Sequence, residues 1–379
     1  MKELDNYFKR YTDRISFIEI KKDTFIEING YKVSGKIPLP ILTERLTKEI
    51  KKGSDFEEIN LRYIIDGIIY TMGIDTEFKY IKEYKKILYK YDENIENYIL
   101  YKGLEKLEAK DYNNASIFFR ASIALNRNNI KGLFNYGLSL EGLANMYFEK
   151  GEEKKGELFF SKATDNFETI LGMDPKFSLS YYKLGYHYKF LGQSLKAKLI
   201  WEKFILIDDN KERIQEIREE LDNINDDVEY EEGVRLIFEG KYEEGNQKLL
   251  KLKDKYPSWW SINYMLGISY KDLGLEEKAI NFFKETIKLE PKEVDVYNDI
   301  GILLSELGRN KDAIKVLTKG INIYDKDYKI IFNRGLIYLQ LGEYELAKVD
   351  IDKAYNLNPD NIMIKEQKEV LDSMIEEIQ

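Results

Sequence analysis

Few side chains in this sequence are of the types that carry out covalent, acid–base or metal chemistry. The 379 residues include no cysteine and a single histidine, His187. Without cysteine there is no disulfide, thiolate ligand or cysteine nucleophile, and one histidine cannot form a histidine metal cluster. His187 stands between Tyr186 and Tyr188 in a helical stretch, where a structural role is expected. We therefore predict that the protein is not an enzyme and needs no cofactor.

Carboxylates are abundant, but their arrangement indicates no metal site. Asp226, Asp227 and Glu229 lie close together on a predicted helix. Carboxylates on a helix lack the looped oxygen cage of calcium sites, whereas negative charge near a helix N-terminus is favourable in itself. No metal is therefore expected.

The charge and hydropathy of the chain argue against several classes of partner. Lysine and arginine total 59 against 68 aspartates and glutamates, a net charge of −9, whereas nucleic-acid-binding proteins usually present a basic field. The sequence contains no run of about 18 apolar residues, and its N-terminus, MKELDNYFKRYTDR, is too charged for a signal peptide. We expect a cytoplasmic protein that binds neither nucleic acid nor membrane.

The elements that position these side chains follow a repeat of 34 residues. Glycines recur at that spacing, at Gly103 and Gly137 and again at Gly233, Gly267, Gly301 and Gly335. In the later set, a small residue follows each glycine after 12 residues and a large apolar residue comes four residues further on. The prolines beyond residue 40 all fall at the boundary between units, at Pro175, Pro257, Pro291 and Pro359.

This pattern resembles the tetratricopeptide repeat family, whose 34-residue helix–turn–helix carries Leu-Gly, Tyr, Ala, Phe and Pro in order. The matching residues of one unit are Leu266, Gly267, Tyr270, Ala279, Phe283 and Pro291. A second unit matches with Leu184, Gly185, Tyr188, Ala197 and Trp201. The resemblance covers about residues 97–360. It implies an all-α superhelix of helical hairpins, whose first helices line a concave groove that holds a partner segment.

The small residues have a physical explanation. Gly267 and Ala279 are small because two antiparallel helices cross there, and axes 8–10 Å apart leave little room at the contact. Gly274 fits the left-handed position that closes the first helix. Pro291 cannot continue the second helix and so separates one unit from the next.

We predict about seven repeats in two blocks. The first block, 96–225, holds three repeats and a closing helix that is indicated by an apolar stripe within NKERIQEIREELDNINDD. The second block, 226–379, holds four repeats and a C-terminal closing helix. Such helices cover the open end of a repeat stack.

The second repeat departs from the pattern. Its turn glycine, Gly151, comes 14 residues after Gly137 instead of seven, which predicts that each helix gains about two turns. The resulting spur spans about 142–158. Its apolar residues either pack within the spur or form a protruding contact site; they are Met146, Tyr147, Phe148, Leu158 and Phe159.

Residues 1–95 lack the repeat and are predicted to form a small α+β segment. The stretches ISFIEI, TFIEI and YKVSGKI favour strands, and Asn29-Gly30 favours a hairpin turn between the last two. Pro38 and Pro40 are expected to end the strands. Ser54 and Glu57 resemble a capping box that opens a helix to about Met72, and a second helix is predicted over 77–91.

The resemblance places the groove-facing residues by their phase relative to the repeated glycine. These positions are often aromatic or apolar, which suits peptide binding. The predicted partner-binding residues are Phe134, Tyr182, Lys183, Tyr186, Tyr230, Tyr264, Asn298, Asp299, Phe332 and Asn333. Because aromatics at these positions also mark the fold, a structural role is the alternative interpretation.

Charge along the groove differs between the blocks. Lys131, Lys183 and Lys189 make the first block basic. The second block is acidic through Asp227, Glu231, Asp272, Asp295, Asp299 and Glu306. The second block is therefore predicted to prefer a basic segment, with solvated helix surface as the alternative. Some family members bind the C-terminal carboxylate of a partner through Lys and Asn residues on successive first helices. That set is absent here, because Leu100 and Leu104 stand where Lys and Asn would be needed before Asn135.

We predict a non-catalytic adaptor or scaffold that binds partner peptide segments. One alternative is a peptide-sensing regulator whose output lies in residues 1–95. Another is an enzyme whose catalytic part is that segment, although it contains neither histidine nor cysteine. Unpaired strands of the N-terminal hairpin leave dimerisation open.

Overall fold

The computed structural model describes residues 2–20, 25–51 and 60–378. It divides into two compact units, Met1–Glu220 and Leu221–Gln379. These are called the first and second unit below, and the division falls within α11. The predicted segments 1–95, 96–225 and 226–379 stay a prediction.

The first part of the chain contains α1 (Lys2–Lys9), a 3₁₀ helix (Arg10–Arg14), β1 (Ile15–Ile18), β2 (Phe25–Ile28), β3 (Tyr31–Ser34), β4 (Leu39–Leu42), α2 (Thr43–Lys51), α3 (Leu61–Ile74) and α4 (Ile81–Tyr91). The repeats follow as α5 (Ile95–Glu108), α6 (Tyr112–Leu125), α7 (Ile130–Glu149), α8 (Glu153–Met173), α9 (Ser178–Phe190), α10 (Ser194–Ile207) and α11 (Lys211–Asn223). The second unit continues with α12 (Asn225–Phe238), α13 (Tyr242–Lys255), α14 (Trp260–Asp272), α15 (Glu276–Leu289), α16 (Val294–Glu306), α17 (Asn310–Ile323), α18 (Tyr328–Gln340), α19 (Tyr344–Leu357) and α20 (Ile362–Ile378).

Helices α5 to α10 and α12 to α19 pack as successive hairpins, three in the first unit and four in the second, among the described residues. Helix α20 packs against α19. The prediction of an all-α hairpin repeat, preceded by a short α+β segment, is confirmed.

The packing of α14 on α15 shows why the repeated glycine is small. A Cβ atom built on Gly267 would lie 2.4 Å from the Cε1 atom of Phe283, far inside van der Waals contact. Ala279 and Phe283 are fully buried at the same crossing. The turn that follows uses Gly274 at φ +68°, and the amide of Leu275 donates to the carbonyl of Tyr270 (2.9 Å).

The hairpin of α7 and α8 has the predicted extra length. These helices have 20 and 21 residues, against 13 and 14 in α9 and α10. Tyr147 and Phe159 stack within the spur with ring centroids 5.5 Å apart, and both are buried. Tyr7 of α1 covers them, with its ring 4.8 Å from that of Phe159. Packing within the protein therefore explains this part of the spur.

The N-terminal strands differ from the prediction in one respect. The hairpin of β2 and β3 turns at Asn29 and Gly30, both at positive φ, as expected. However, β1 pairs antiparallel with β4, and Pro40 lies inside β4 opposite Phe17. The prediction that Pro40 ends a strand is wrong, because this sheet has only two described strands and a proline is tolerated at its open edge.

Helix α3 forms the centre of the N-terminal segment. Its residues from Ile64 to Ile74 are buried. A Cβ on Gly67 would lie 2.0 Å from the carbonyl oxygen of Pro40, and one on Gly73 would lie 2.0 Å from that of Ile117. Because these two glycines have no side chain, β4 can pack closely against one face of α3 and α6 against another. The predicted cap at Ser54 and Glu57 lies outside the described residues.

Candidate functional site

The first helices of neighbouring hairpins in the second unit are connected by side-chain hydrogen bonds. The Tyr264 hydroxyl donates to Asp299 Oδ2 (3.4 Å), from α14 to α16. Asn333 Nδ2 donates to Asn298 Oδ1 (2.7 Å), from α18 back to α16. Because each pair is 35 residues apart, the repeat itself brings these four predicted site residues together.

Asp299 lies at the centre of this surface. Its side chain is 15% exposed, and Lys271 Nζ lies 3.3 Å from its Oδ1 atom. Burial raises the pKa of the Asp299 carboxyl, against the opposing effects of Lys271 and Tyr264, and the nearby Asp295 raises it further. The folded protein thus disfavours the charged form of Asp299. Burial and the same two aspartates also raise the pKa of Tyr264.

Two of the predicted aromatic residues in the second unit pack against the protein itself. The Tyr230 ring stacks on Trp259 with centroids 4.9 Å apart. Phe332 is only 6% exposed and belongs to the hydrophobic core of the unit. Phe332 therefore offers little area to a partner.

In the first unit, Tyr182 and Tyr186 contact the closing helix α11. Both hydroxyls donate to Glu216 Oε1, at 2.8 and 2.5 Å, and Lys189 forms an ion pair with Glu220. Glu216 follows Tyr182 by 34 residues. At these residues, α11 therefore lies beside α9 where the first helix of another repeat would lie. Phe134 packs with its ring centroid 5.5 Å from Phe167.

Lys183 is paired inside the chain rather than free for a partner. Its Nζ atom lies 2.8 Å from Glu141 Oε1, and the other oxygen of Glu141 lies 3.9 Å from His187 Nε2. Burial raises the pKa of Glu141, but the contacts with His187 and Lys183 outweigh it, so that the pKa is lowered overall.

His187 is a buried residue between aromatic rings, as the sequence suggested. Its ring stacks on Phe160 at 4.2 Å and meets Phe167 edge-on at 5.3 Å. Its Nδ1 atom lies 2.8 Å from the Thr164 hydroxyl, which donates to the Phe160 carbonyl (3.0 Å). The imidazole is enclosed by aromatic rings and the Thr164 hydroxyl is bonded to the backbone of its own helix, so packing within the hairpin explains this arrangement.

The charges predicted along the groove are only partly compensated within the chain. Lys183, Lys189 and Asp299 each have a partner of opposite charge. Lys131 in the first unit and Asp272, Asp295 and Glu306 in the second are exposed and take part in no ion pair among the residues that the structure describes. The acidic surface of the second unit is therefore only partly neutralised.

Several contact residues at these surfaces were missed by sequence reasoning. The 34-residue interval from Tyr182 could have located Glu216, since it places that residue on the next first helix. No regular interval could have located Glu141 or Lys271, because long charged side chains can reach a neighbouring helix from several positions.

Metal-binding clusters and membrane-spanning helices are two other features that would indicate a function. In the described part of the chain, no group of three or more His, Cys, Asp or Glu side chains is arranged to hold a metal ion. None of the described helices has the length and apolar character needed to span a membrane.

Comparison with known families identifies the repeat. The family model described as tetratricopeptide repeat matches residues 261–293, 294–327 and 328–361, which contain the hairpins from α14 to α19. The chain carries tetratricopeptide repeats. Repeats of this kind support protein–protein interaction as the general role of the chain. No curated protein matches the sequence.

Solved tetratricopeptide structures resemble the chain at low identity. Residues 41 to the end of MamA from Desulfovibrio magneticus RS-1 share 20% identity, with 40% of this chain and 85% of that chain covered and a TM-score of 0.37. The Arabidopsis OM64 tetratricopeptide domain shares 27% identity, with 30% of this chain and 93% of that chain covered and a TM-score of 0.29. YrrB, described as having an unusual peptide-binding site, shares 16% identity, over 66% and 97%, with a TM-score of 0.28. At these TM-scores the likenesses define no partner or site for this chain.

Proposed function

We propose that the protein is a non-catalytic adaptor whose second unit binds a basic segment of a partner protein along the first helices α14, α16 and α18. The observation that carries the proposal is the state of Asp299. Its carboxylate is largely buried and has a raised pKa, so the free protein holds a charge that it does not fully stabilise. A cation from a partner would supply the missing stabilisation.

The surroundings of Asp299 support a basic segment over a neutral one. Asp295 lies one helical turn earlier on α16, is exposed, and takes part in no ion pair among the described residues. Asp272 and Glu306 add exposed charge near the ends of α14 and α16. The side-chain amides of Asn298 and Asn333 can hydrogen-bond the backbone of an extended peptide, which is how such segments gain affinity without sequence-specific contacts.

The test compares two variants of equal charge. Asp295→Asn with Asp299→Asn neutralises the proposed site, and Glu243→Gln with Glu244→Gln removes two exposed charges from α13 as a control. Proteins captured from the native lysate by the intact chain are identified by mass spectrometry. Binding of the main captured partner to each variant is then measured at low and high salt.

We expect the first variant to bind the partner about 10-fold more weakly at low salt, since partly buried charge contacts count for more than exposed ones. The control variant should bind like the intact chain. Equal binding of both variants would refute the proposed site. Asp299→Asn alone should also stabilise the free protein more at pH 7 than at pH 4, because a raised folded-state pKa means that the native charge costs stability as the pH rises.

A further inference from the structure

The lengthened hairpin creates a cleft in the first unit that the repeat pattern does not contain. Helix α8 extends about two turns beyond the end of α9, so the side chains on this extension have no neighbouring hairpin of equal length to cover them. The cleft has a volume of about 690 Å³. Ligand-binding clefts in proteins usually have volumes of about 300–1,000 Å³.

The floor of the cleft is aromatic, and part of it is exposed. Phe160 and Phe190 approach with ring centroids 4.8 Å apart, and Phe148 lies 5.9 Å from Phe190. Phe190 is 64% exposed and the adjacent Leu191 is 48% exposed. Large apolar side chains grouped in a concave site, rather than scattered singly, indicate a contact surface.

The rim of the cleft is acidic. Glu153 and Glu157 lie one turn apart at the start of α8, are exposed, and form no ion pair among the described residues. Glu168 lies further along α8, also lines the cleft, and accepts a hydrogen bond from the Tyr188 hydroxyl. Among the residues that the structure describes, Lys196 is the single basic one that lines the cleft.

The contacts of Lys196 show that this lining can bind a cation. Its Nζ atom lies 3.8 Å from the centroid of the Tyr188 ring and 3.7 Å from Glu168 Oε1. A cation is therefore already held between an aromatic face and a carboxylate, two groups that both attract positive charge. The remaining rings and the two free glutamates offer the same chemistry to a second cation.

We propose that this cleft is a second docking site, which takes a short segment of another protein presenting an arginine or lysine beside a bulky apolar residue. The apolar side chain packs on Phe148, Phe160 and Phe190. The cation lies between the rings and the carboxylates of Glu153 and Glu157. The site is formed by the second helix of one hairpin and the turn of the next, so it is separate from the first-helix surface proposed above.

The experiment selects ligands for the intact chain from a displayed library of random dodecapeptides. The affinities of the enriched peptides are then measured by fluorescence anisotropy against five variants, one of which is the second-unit variant Asp295→Asn with Asp299→Asn described above. Phe190→Ser removes the exposed ring, Glu153→Gln with Glu157→Gln removes the rim charge, and Lys196→Met removes the internal cation. Glu243→Gln with Glu244→Gln is the control of equal charge change. Circular dichroism melting checks that each variant is folded.

We expect a class of peptides, rich in arginine or lysine next to aromatic or aliphatic residues, that loses about 10-fold or more in affinity on Phe190→Ser. The glutamate double variant should weaken this class by about 3–10-fold and reduce its salt dependence. Lys196→Met should strengthen binding by about 2–5-fold, because it removes a positive charge that repels a cation bound in the same cleft. A gain of affinity cannot arise from loss of folding.

The proposal is overturned if no enriched peptide responds to Phe190→Ser, or if those that respond are acidic or purely apolar. It is also overturned if Lys196→Met and the control variant leave the affinity equally unchanged. Peptides that lose binding only on Asp295→Asn with Asp299→Asn would support the second-unit surface alone. The two proposals therefore fail independently.

Discussion

Gly267 offers a direct test of how the repeat packs, because the crowding at this residue involves one ring. The substitution Gly267→Ala adds a Cβ at a point 2.4 Å from Phe283 Cε1. Overpacking of a well-filled core costs about 1–3 kcal/mol, whereas replacing a mid-helix glycine by alanine gains about 1 kcal/mol. We therefore expect a net loss of about 0–2 kcal/mol in the free energy of unfolding.

A second substitution separates crowding from propensity. In the last repeat, Ile351 lies 3.0 Å from the corresponding point at Gly335, so an isoleucine crowds this position less than Phe283 does. Phe283→Ile alone should cost about 1–2 kcal/mol through lost packing. In the double variant Gly267→Ala with Phe283→Ile, the new methyl group occupies part of the space left by the ring. The double variant should then be about 1–2 kcal/mol more stable than the sum of the single effects predicts.

The assay is urea unfolding of the four proteins in a double-mutant cycle, with hydrogen exchange of α14 and α15 amides as a local measurement. The local measurement is needed because a repeat array need not unfold in one step. Additive effects, within about 0.5 kcal/mol, would show that the two residues do not compete for space. That result would refute the packing explanation for the repeated glycine.

Three further predictions concern stability. Asp208→Asn should destabilise the protein at neutral pH: burial raises the pKa of Asp208, but hydrogen bonds from Ser178, Asn210 and Arg213 outweigh it and lower the pKa. This stabilisation is present above the unfolded-state pKa of about 3.9 and is lost as the pH falls through the folded-state value, so the variant and the intact chain should converge in acid-unfolding curves below about pH 4. Gly274→Ala should cost about 1 kcal/mol in urea unfolding, because its φ of +68° disfavours a side chain. Gly172→Ala, in α8 with nothing within 4 Å of the new Cβ, should instead stabilise the protein by up to about 1 kcal/mol. Asp5→Ala should cost about 3 kcal/mol in thermal unfolding, since it leaves the buried Arg120 without the carboxylate 2.6 Å away; no change would mean that water replaces this partner.

The sequence predicted the parts of the fold that depend on local spacing. The glycine phase located the helix crossings, as at Gly267, and the seven-residue shift of Gly151 located the longer hairpin. Both follow from the geometry of a helix, in which the turn position and the buried face repeat together. Positive φ at Gly274 follows from the same phase.

Contacts over long sequence separation were not predictable in this way. Tyr7 packs on Tyr147 although 140 residues separate them, and no periodic signal connects α1 to the spur. The pairing of β1 with β4 was missed because Pro40 was treated as a strand end, whereas a strand edge has no need of its N–H group. In the same way, the spur was recognised but its cleft was not, since a cleft depends on what the neighbouring hairpin leaves uncovered.

The predicted groove residues separate into two kinds once their surroundings are known. Phe332 is buried in the core of the second unit and Tyr230 stacks on Trp259, so the native state gains from them without any partner. Asp299 is the opposite case, because the fold raises its pKa and thereby disfavours its charge. A carboxylate whose surroundings disfavour its charged form is stabilised more by a bound cation than a carboxylate that is already well stabilised. Binding by the second unit should therefore depend on its aspartates more than on its aromatic residues, which reverses the emphasis suggested by residue type alone.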